Sequence, residues 1–169
     1  PRPVTIGDGY AEAASLSADG RIAAYAFYPA DDRRRGDIRV VDLSTGEDRR
    51  LSGTAGFTDH SPAISPDGTT VAIVSERSGW NEVHVIAVDG TGERQLTHYD
   101  ADFSGLTWSP DATRLVAVAT RAGRGDLVTV EPQSGEVAVL VEGGMWSSPG
   151  WADDETIVAG FESHCLAPR

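Results

Sequence analysis

A turn sequence that recurs along this 169-residue chain limits its fold more than any other feature does. Ser65-Pro66-Asp67-Gly68 has close relatives that begin at Ser17 and Ser109 and a weak one at Ala152, each directly after a large apolar residue. Successive copies are separated by 48, 44 and 43 residues, and an apolar run follows each of them. In such a turn proline presets the backbone, aspartate bonds its own backbone, and glycine takes the left-handed position. The pattern therefore predicts a hairpin turn at the same place in four successive units.

Two further landmarks keep this spacing. In the first three units an acidic residue (Asp37, Glu82 or Asp126) opens a third apolar run, and a Gly-Glu turn then leads into a fourth run that ends at a leucine. Four-stranded units that repeat every ~40–45 residues are typical of propeller blades, whereas a β-sandwich predicts no such recurrence. The sequence therefore predicts an all-β fold, a β-propeller built of four-stranded antiparallel blades. The turn aspartates are expected to be structural, because metal ligands need partners clustered around them.

The predicted units do not add up to a closed ring. Propellers have four to eight complete blades, and a half blade would leave a bare strand edge. We therefore expect a partial propeller, completed either by residues after Arg169 or by a second chain, a second copy of this one included. The predicted division is an N-terminal segment at 1–12 with a candidate ring-closing strand at 4–6, three blades at 13–52, 53–97 and 98–142, and a half blade with a tail at 143–169.

Composition excludes several classes of partner. The net charge is −12 and all 14 basic residues are arginines, without a basic stripe, so nucleic-acid binding is not expected. No apolar run approaches membrane-spanning length and the N-terminus lacks the pattern of a signal peptide, so we expect a cytoplasmic protein that does not bind membranes. Cys165 is the only cysteine, which rules out a disulfide within the chain.

Five loop residues are the candidates for contact with a partner or substrate. Trp80 and Arg77 lie in the second-to-third-strand loop of the second blade, where an aromatic side chain between charged ones is typical of a contact position. Packing of Trp80 over its own blade is an equally good alternative. His60, His98 and Tyr99 lie in the connections between blades, with an aspartate near each histidine. Sequence neighbours on a loop need not converge in space, so structural histidines are favoured over a metal or acid/base site.

The motifs of known catalytic and cofactor sites are absent. The chain has no Gly-x-Ser-x-Gly elbow, Walker loop, dinucleotide fingerprint, His-Glu-x-x-His or Cys-x-x-Cys pair. Ser147 and Ser148 lack the glycine two residues ahead that a nucleophile elbow requires. The sequence therefore predicts no catalytic residue, no cofactor and no metal in this stretch.

The repeats resemble those of two protein families. The Ser-Pro-Asp-Gly turns, residues 75–81 and residues 92–97 look like the propeller repeats at the front of prolyl oligopeptidase-family serine peptidases, including acylaminoacyl and dipeptidyl peptidases. They are also similar to the repeats of the periplasmic protein TolB. The resemblance covers residues 13–162, almost the whole chain.

The two resemblances imply different functions. The peptidase resemblance implies a propeller that covers a C-terminal α/β-hydrolase domain and restricts access to oligopeptides. That domain would supply the catalytic serine, aspartate and histidine, and none of the three matches a position here. The TolB resemblance implies a non-enzymatic, periplasmic protein-interaction propeller with a secretory signal and a small N-terminal domain. Neither of these is visible in the sequence, which favours the peptidase.

Overall fold

The computed structural model describes residues 8–32, 34–53 and 56–162, and these residues form fourteen β-strands and no helix. The strands make four antiparallel sheets, which we call blades 1 to 4 in chain order. Blade 1 contains β1 (Gly9–Leu16), β2 (Ile22–Pro29), β3 (Asp37–Asp42) and β4 (Asp48–Ser52); blade 2 contains β5 (Asp59–Ile64), β6 (Thr70–Ser75), β7 (Glu82–Ala87) and β8 (Arg94–Gln95); blade 3 contains β9 (Asp102–Trp108), β10 (Leu115–Arg121), β11 (Arg124–Val130) and β12 (Val137–Val141); blade 4 contains β13 (Met145–Trp151) and β14 (Ile157–Glu162).

This architecture confirms the predicted all-β, partial propeller. Blades 1 to 3 have four strands in sequence order, and blade 4 has two in the described part of the chain. The first strand begins at Gly9, inside the predicted N-terminal segment 1–12. Residues 9–15 carry no apolar alternation that would predict a strand. The candidate ring-closing strand at 4–6 lies outside the described residues, as does Cys165.

The recurring turn forms through its serine and aspartate. The hydroxyl of Ser65 donates to Asp67 Oδ1 at 2.5 Å, and the same carboxylate oxygen accepts the backbone N–H of Thr69 at 3.1 Å. Ser65 Oγ in turn accepts the N–H of Thr70 at 3.0 Å, which closes the turn at the first residue of β6. Equivalent bonds form in the turns that begin at Ser17 and Ser109. The aspartates are therefore turn residues, as predicted.

Replacing Asp67 with alanine is expected to lower the free energy of unfolding by about 1 kcal/mol at neutral pH, because Ser65 and Thr69 lose their acceptor. The Ser65 hydroxyl, followed by the N–H and hydroxyl of Thr69, holds the pKa of Asp67 below its usual 3.8, against the opposing effect of burial. Stability from a lowered pKa is present above the unfolded value and is lost as the pH falls below it. Urea unfolding should therefore show the difference between wild type and Asp67→Ala shrinking below about pH 4.

Asp67→Asn is the matched control, since it keeps an acceptor oxygen but does not titrate. It should cost less than Asp67→Ala at neutral pH. A deficit of Asp67→Ala that persists undiminished at about pH 3 would contradict this role for the carboxylate.

The first strands of the blades lie side by side, since β1 contacts β5, β5 contacts β9 and β9 contacts β13. Each of them contains a β-bulge three residues before its last residue, with a backbone in the left-handed region. A bulge bends its strand and increases the local twist. The bulge residues are Ala13, Ser61, Gly105 and Ser148, with φ of 52°, 50°, 67° and 47°.

Apolar clusters fill the two seams between the complete blades. The seam of blades 1 and 2 contains Ile38 and Leu51 from one side and Ile73 and Ile86 from the other. The seam of blades 2 and 3 is larger and is centred on residues such as Phe103, Trp108 and Leu96. Burial of this apolar surface holds neighbouring blades in a fixed relation.

In each of two successive seams, a tryptophan side chain donates a hydrogen bond to the preceding blade. Trp108 Nε1 donates to the carbonyl of Ala63 at 2.8 Å, and Trp151 Nε1 donates to the carbonyl of Thr107 at 3.1 Å. Both acceptors stand directly before the last residue of a first strand. The repeat therefore places these two contacts at equivalent positions of successive blades.

Candidate functional site

Arg77 lies at the centre of a polar network in the seam of blades 1 and 2. One guanidinium nitrogen donates to both carboxylate oxygens of Asp59, at 2.9 and 2.8 Å, and another donates to Glu93 at 2.6 Å. Asp59 is completely buried and also accepts the hydroxyl of Ser52, from blade 1, at 2.8 Å. Burial alone lowers the pKa of Arg77, but the bonds and charges of Asp59 and Glu93 outweigh it and raise the pKa above its usual value.

His60 belongs to a second polar chain, which joins blade 2 to blade 3. Its Nε2 lies 3.1 Å from the side-chain oxygen of Asn81, and its Nδ1 lies 2.9 Å from the hydroxyl of Ser61. The amide nitrogen of Asn81 donates to Asp102 in β9 at 2.9 Å. Because an amide oxygen only accepts, Nε2 carries the proton and Nδ1 accepts from Ser61. His60 lies in β5 rather than in the predicted connection between blades, and it orients Asn81 in the loop between β6 and β7.

This chain of groups has some components of a nucleophilic relay but lacks others. Ser61 donates to a histidine whose second nitrogen is oriented by Asn81, and its φ of 50° is unusual for a serine. However, the next residue is Pro62, which has no N–H to stabilise an oxyanion at the position following the nucleophile. The arrangement therefore lacks the oxyanion donor that would follow the nucleophile.

The other three candidates are Trp80, His98 and Tyr99. They lie at the edge of the blades that carries the second-to-third-strand loops and the blade-to-blade connections. Trp80 is 40% exposed and His98 is exposed. Tyr99 is half-buried; its ring packs edge-on against Phe103 with centroids 6.0 Å apart, and the guanidinium of Arg121 lies 5.2 Å above it. Among the described residues, no hydrogen bond or ring contact joins any two of the five candidates. The structure therefore does not bring them into one site.

The acidic residue that precedes the apolar run of a third strand has a role that the sequence did not predict. It is the first residue of β7 in blade 2 (Glu82) and the third residue of β11 in blade 3 (Asp126). Glu82 Oε1 accepts the backbone N–H groups of Tyr99 and Asp100, both at 2.8 Å. Asp126 Oδ1 accepts the N–H of Gly143 at 2.7 Å, at the equivalent place in blade 3. In both blades the carboxylate therefore fixes the connection that leads to the next blade.

His84 is a buried histidine that the sequence did not distinguish from its apolar neighbours in β7. Its side chain faces the seam of blades 1 and 2, it is 3% exposed, and Nε2 has no hydrogen-bond partner. Arg77, Asp59, Glu93 and Glu82 are the charged groups around it. Burial, followed by the charge of Arg77, lowers the pKa of His84, so the histidine is held neutral.

The stability of the chain is expected to fall as the pH drops below 6.5, the usual pKa of histidine. The unfolded chain then takes up a proton at His84 that the folded chain resists, so the unfolded state is favoured as the pH falls toward the lowered folded pKa. His84→Val, which places there the residue found at the equivalent position 128, should reduce this slope in urea unfolding between about pH 7.5 and pH 5.5.

The control is His98→Ala, which removes an exposed histidine and should keep the wild-type slope. An unchanged slope in His84→Val would show that another group is responsible.

The described residues contain no cluster of metal-ligand side chains, and an uncharged groove runs along the first strands. In residues 8–32, 34–53 and 56–162 there is no group of three or more His, Cys, Asp or Glu side chains that could hold a metal ion. The first strands do line an open groove of about 530 Å³, formed by residues 13–16 of β1, 61–64 of β5 and 105–108 of β9. Its lining is mostly small or apolar and carries no charged side chain.

Comparison with known proteins agrees with the repeat architecture. A family model described as the TolB beta propeller domain matches residues 4–164. The chain belongs to this family. The match confirms the predicted resemblance of the repeats to TolB, and this TolB-type propeller domain also has peptidase relatives, as predicted.

The TolB-type propeller domain matches short portions of longer proteins. It is 38% identical over 85 residues to Tricorn protease homolog 1 of Streptomyces coelicolor, and the alignment covers 50% of this chain and 8% of the relative. It is 28% identical over 141 residues to dipeptidyl-peptidase 5 of Porphyromonas gingivalis, and the alignment covers 76% of this chain and 20% of the relative. The chain thus spans a fifth or less of the length of these two relatives.

A solved structure extends the match to nearly the whole TolB-type propeller domain. The structure of a puromycin-hydrolysing peptidase of Mycobacterium tuberculosis covers 95% of this chain with a TM-score of 0.78, at 18% identity and over 27% of that peptidase chain. At this identity the likeness shows the fold alone.

Within the described part of the chain, no helix is long and apolar enough to cross a membrane.

Proposed function

We propose that this chain is part of the N-terminal propeller domain of a prolyl oligopeptidase-family serine peptidase, where it gates the access of oligopeptides to a hydrolase domain. One observation carries the proposal: the alignment with dipeptidyl-peptidase 5 extends over 76% of the chain. The partners would be a C-terminal α/β-hydrolase domain and peptide substrates, in the cytoplasm. The chain itself contributes no catalytic residue.

The geometry is compatible with a passive gate. The groove along the first strands is lined by small or apolar residues without a charged side chain, so it offers few groups that would hold one particular peptide. The seams beside it are fixed by apolar clusters and by the networks of Arg77 and His60. In the proposed role, this wall would select substrates by size.

The complete reading frame provides the first test. It should encode a segment with a Gly-x-Ser-x-Gly motif, and the complete product should hydrolyse aminoacyl p-nitroanilides, whereas the 169-residue chain should not. A complete reading frame without any hydrolase segment would rule the proposal out.

Gating is tested by narrowing the groove in the complete product. Leu16→Trp enlarges an exposed groove residue and should lower kcat/KM for a peptide of about twenty residues by about fivefold, while hydrolysis of a p-nitroanilide changes little. Leu43→Trp enlarges an equally apolar, exposed residue outside the groove and should affect neither substrate. Equal losses for both substrates in Leu16→Trp would contradict gating.

The second candidate is a TolB-like, non-enzymatic protein-interaction propeller, which the family match favours. It would place the protein in the periplasm. Cell fractionation that finds the protein there, together with a stable protein partner in a pull-down and no hydrolase segment in the reading frame, would support this candidate over the first.

For either function we propose Trp80 and His98 as the residues that face a partner, because both side chains are exposed at the loop edge. Arg77, His60 and Tyr99 would act indirectly, since each is engaged within the domain. Trp80→Ala should weaken binding of the partner or peptide without lowering the urea midpoint. A lowered midpoint would indicate that Trp80 packs on its own blade instead.

A further inference from the structure

We propose that a pocket at the loop edge of blade 3 binds a carboxylate group of a peptide through Arg121 and Arg124. The pocket has a volume of about 370 Å³ and shares no lining residue with the groove along the first strands. The carboxylate is either the C-terminus of a peptide or the side chain of an aspartate or glutamate. The inference does not depend on the choice between a peptidase and an interaction propeller, because substrates and protein partners both carry such groups.

Arg121 is held in place by uncharged groups, so its positive charge is not compensated. Its Nε donates to the backbone carbonyl of Asp100 at 3.0 Å, and another guanidinium nitrogen donates to the carbonyl of Tyr99. The guanidinium also lies 5.2 Å from the centre of the Tyr99 ring. Among the described residues no carboxylate forms an ion pair with Arg121. An arginine has more N–H donors than these bonds use, so the fixed side chain still has donors for a ligand.

Comparison with blade 2 shows that this lack of a carboxylate is particular to blade 3. Arg77 and Arg121 are equivalent, since each lies five residues before the acid in the third strand of its blade. Arg77 is paired with Asp59 and Glu93. In blade 3 the strand register places Val137 at the position of Glu93, and the first residue of β9 accepts from the β6–β7 loop instead. The repeat therefore kept the arginine and lost both of its carboxylate partners.

Arg124 provides the second guanidinium of the pocket. Its side chain is exposed, and one terminal nitrogen lies 2.8 Å from the place that a Cβ on Gly143 would take. The glycine thus lets the guanidinium lie close to the backbone. In the part of the chain that the structure describes, the side chain of Arg124 makes neither a hydrogen bond nor an ion pair. Both arginines therefore present free donors to the same pocket.

The rest of the lining favours a carboxylate over a phosphate. Asp126 and Glu142 also line the pocket, so its formal charges balance. A doubly charged phosphate is repelled by these two acids more strongly than a singly charged carboxylate. A carboxylate also matches the planar fork of a guanidinium, which can donate two parallel bonds to it. Val139, which is 39% exposed, adds apolar surface that the carbon chain of a peptide can cover.

Fluorescence anisotropy of labelled peptides, measured with the complete gene product, tests the proposal. A fluorophosphonate that blocks serine hydrolases is added first, so that no probe is cleaved. The probes are glycine-serine peptides of about eight residues: one with a free C-terminal carboxylate, one amidated with a single internal glutamate, and one amidated without any acid. We expect a Kd below about 1 mM for the first or the second probe and at least about tenfold weaker binding of the third.

The two acidic probes distinguish the source of the carboxylate, and binding of either supports the site. Equal binding of the uncharged probe, or no binding of any probe, would overturn the proposal. Inorganic phosphate should compete no better than acetate at the same concentration. Competition by phosphate at a lower concentration than acetate would overturn the assignment to carboxylates.

Arg124→Ala should weaken binding of the acidic probe by at least about tenfold, because a charge-assisted bond is lost. Arg34→Ala is the matched control: it removes the same charge from a side chain that is 97% exposed in blade 1, and the affinity should stay within about twofold. Equal affinities of wild type and Arg124→Ala, or equal losses in the two variants, would contradict the site. Because no readout measures hydrolysis, failure here is distinguishable from failure of the proposed function.

Discussion

Replacing Gly135 with alanine is expected to lower the free energy of unfolding by about 3 kcal/mol, from left-handed strain and steric overlap together. Gly135 lies in the turn between β11 and β12, with φ of 80°, a conformation that disfavours any side chain with a Cβ. A Cβ at this position would also overlap the backbone carbonyl oxygen of Leu96, at the end of the preceding blade. A backbone atom cannot swing away as a flexible side chain could, so the seam of blades 2 and 3 must shift.

Gly123→Ala separates the two contributions. Gly123 has nearly the same φ, 78°, but no atom lies within 4 Å of the position its Cβ would take. It should therefore cost only the left-handed strain, about 1 kcal/mol. Urea unfolding followed by tryptophan fluorescence measures both variants. Equal losses would mean that the seam at Leu96 relaxes freely, contrary to the close contact in the structure.

Removing Arg77 is expected to cost a similar amount, about 3 kcal/mol for Arg77→Ala, the lower end of the range for breaking a buried ion pair. The lower end applies because the Arg77 side chain keeps 21% of its exposure, whereas the Asp59 side chain has none. The loss arises mainly because the carboxylate of Asp59 stays buried with the Ser52 hydroxyl as its remaining side-chain donor. The readout is again the urea midpoint, together with hydrogen exchange in β4 and β5.

Two further variants test this explanation. Arg34→Ala removes an arginine that is 97% exposed and 4.0 Å from Asp32, and it should change stability by no more than about 0.5 kcal/mol. Arg77→Met combined with Asp59→Asn removes the uncompensated charge at position 59 and should recover more than half of the loss. If the double variant is as unstable as Arg77→Ala, packing of the arginine stem, rather than the uncompensated charge, accounts for the effect.

The candidate site shows the limit of sequence reasoning. Arg77 and His60 were predicted as contact residues because the sequence places each in a loop beside charged or aromatic neighbours, although His60 in fact lies in β5. Their partners, Asp59 and Asn81, are 18 and 21 residues away in sequence, and no local pattern connects them. Exposure of Trp80 was consistent with either of the two alternatives that the sequence left open. Contacts across the seams between blades distinguish the residues that are bonded within the domain, such as Arg77, from those that are exposed, such as Trp80.

The sequence by itself determined the features that depend on contacts within a few residues. The hairpin turn at Ser65 and Asp67 follows from turn chemistry, and its recurrence led to blades, the partial ring and the family. Tertiary structure decided the rest: the bulges of the first strands, the neutral buried His84, and the exposure of Leu140 where Leu51 and Leu96 are covered. The physical reason is that burial and pairing across a seam depend on which blade stands opposite, and a chain's local pattern does not contain that information.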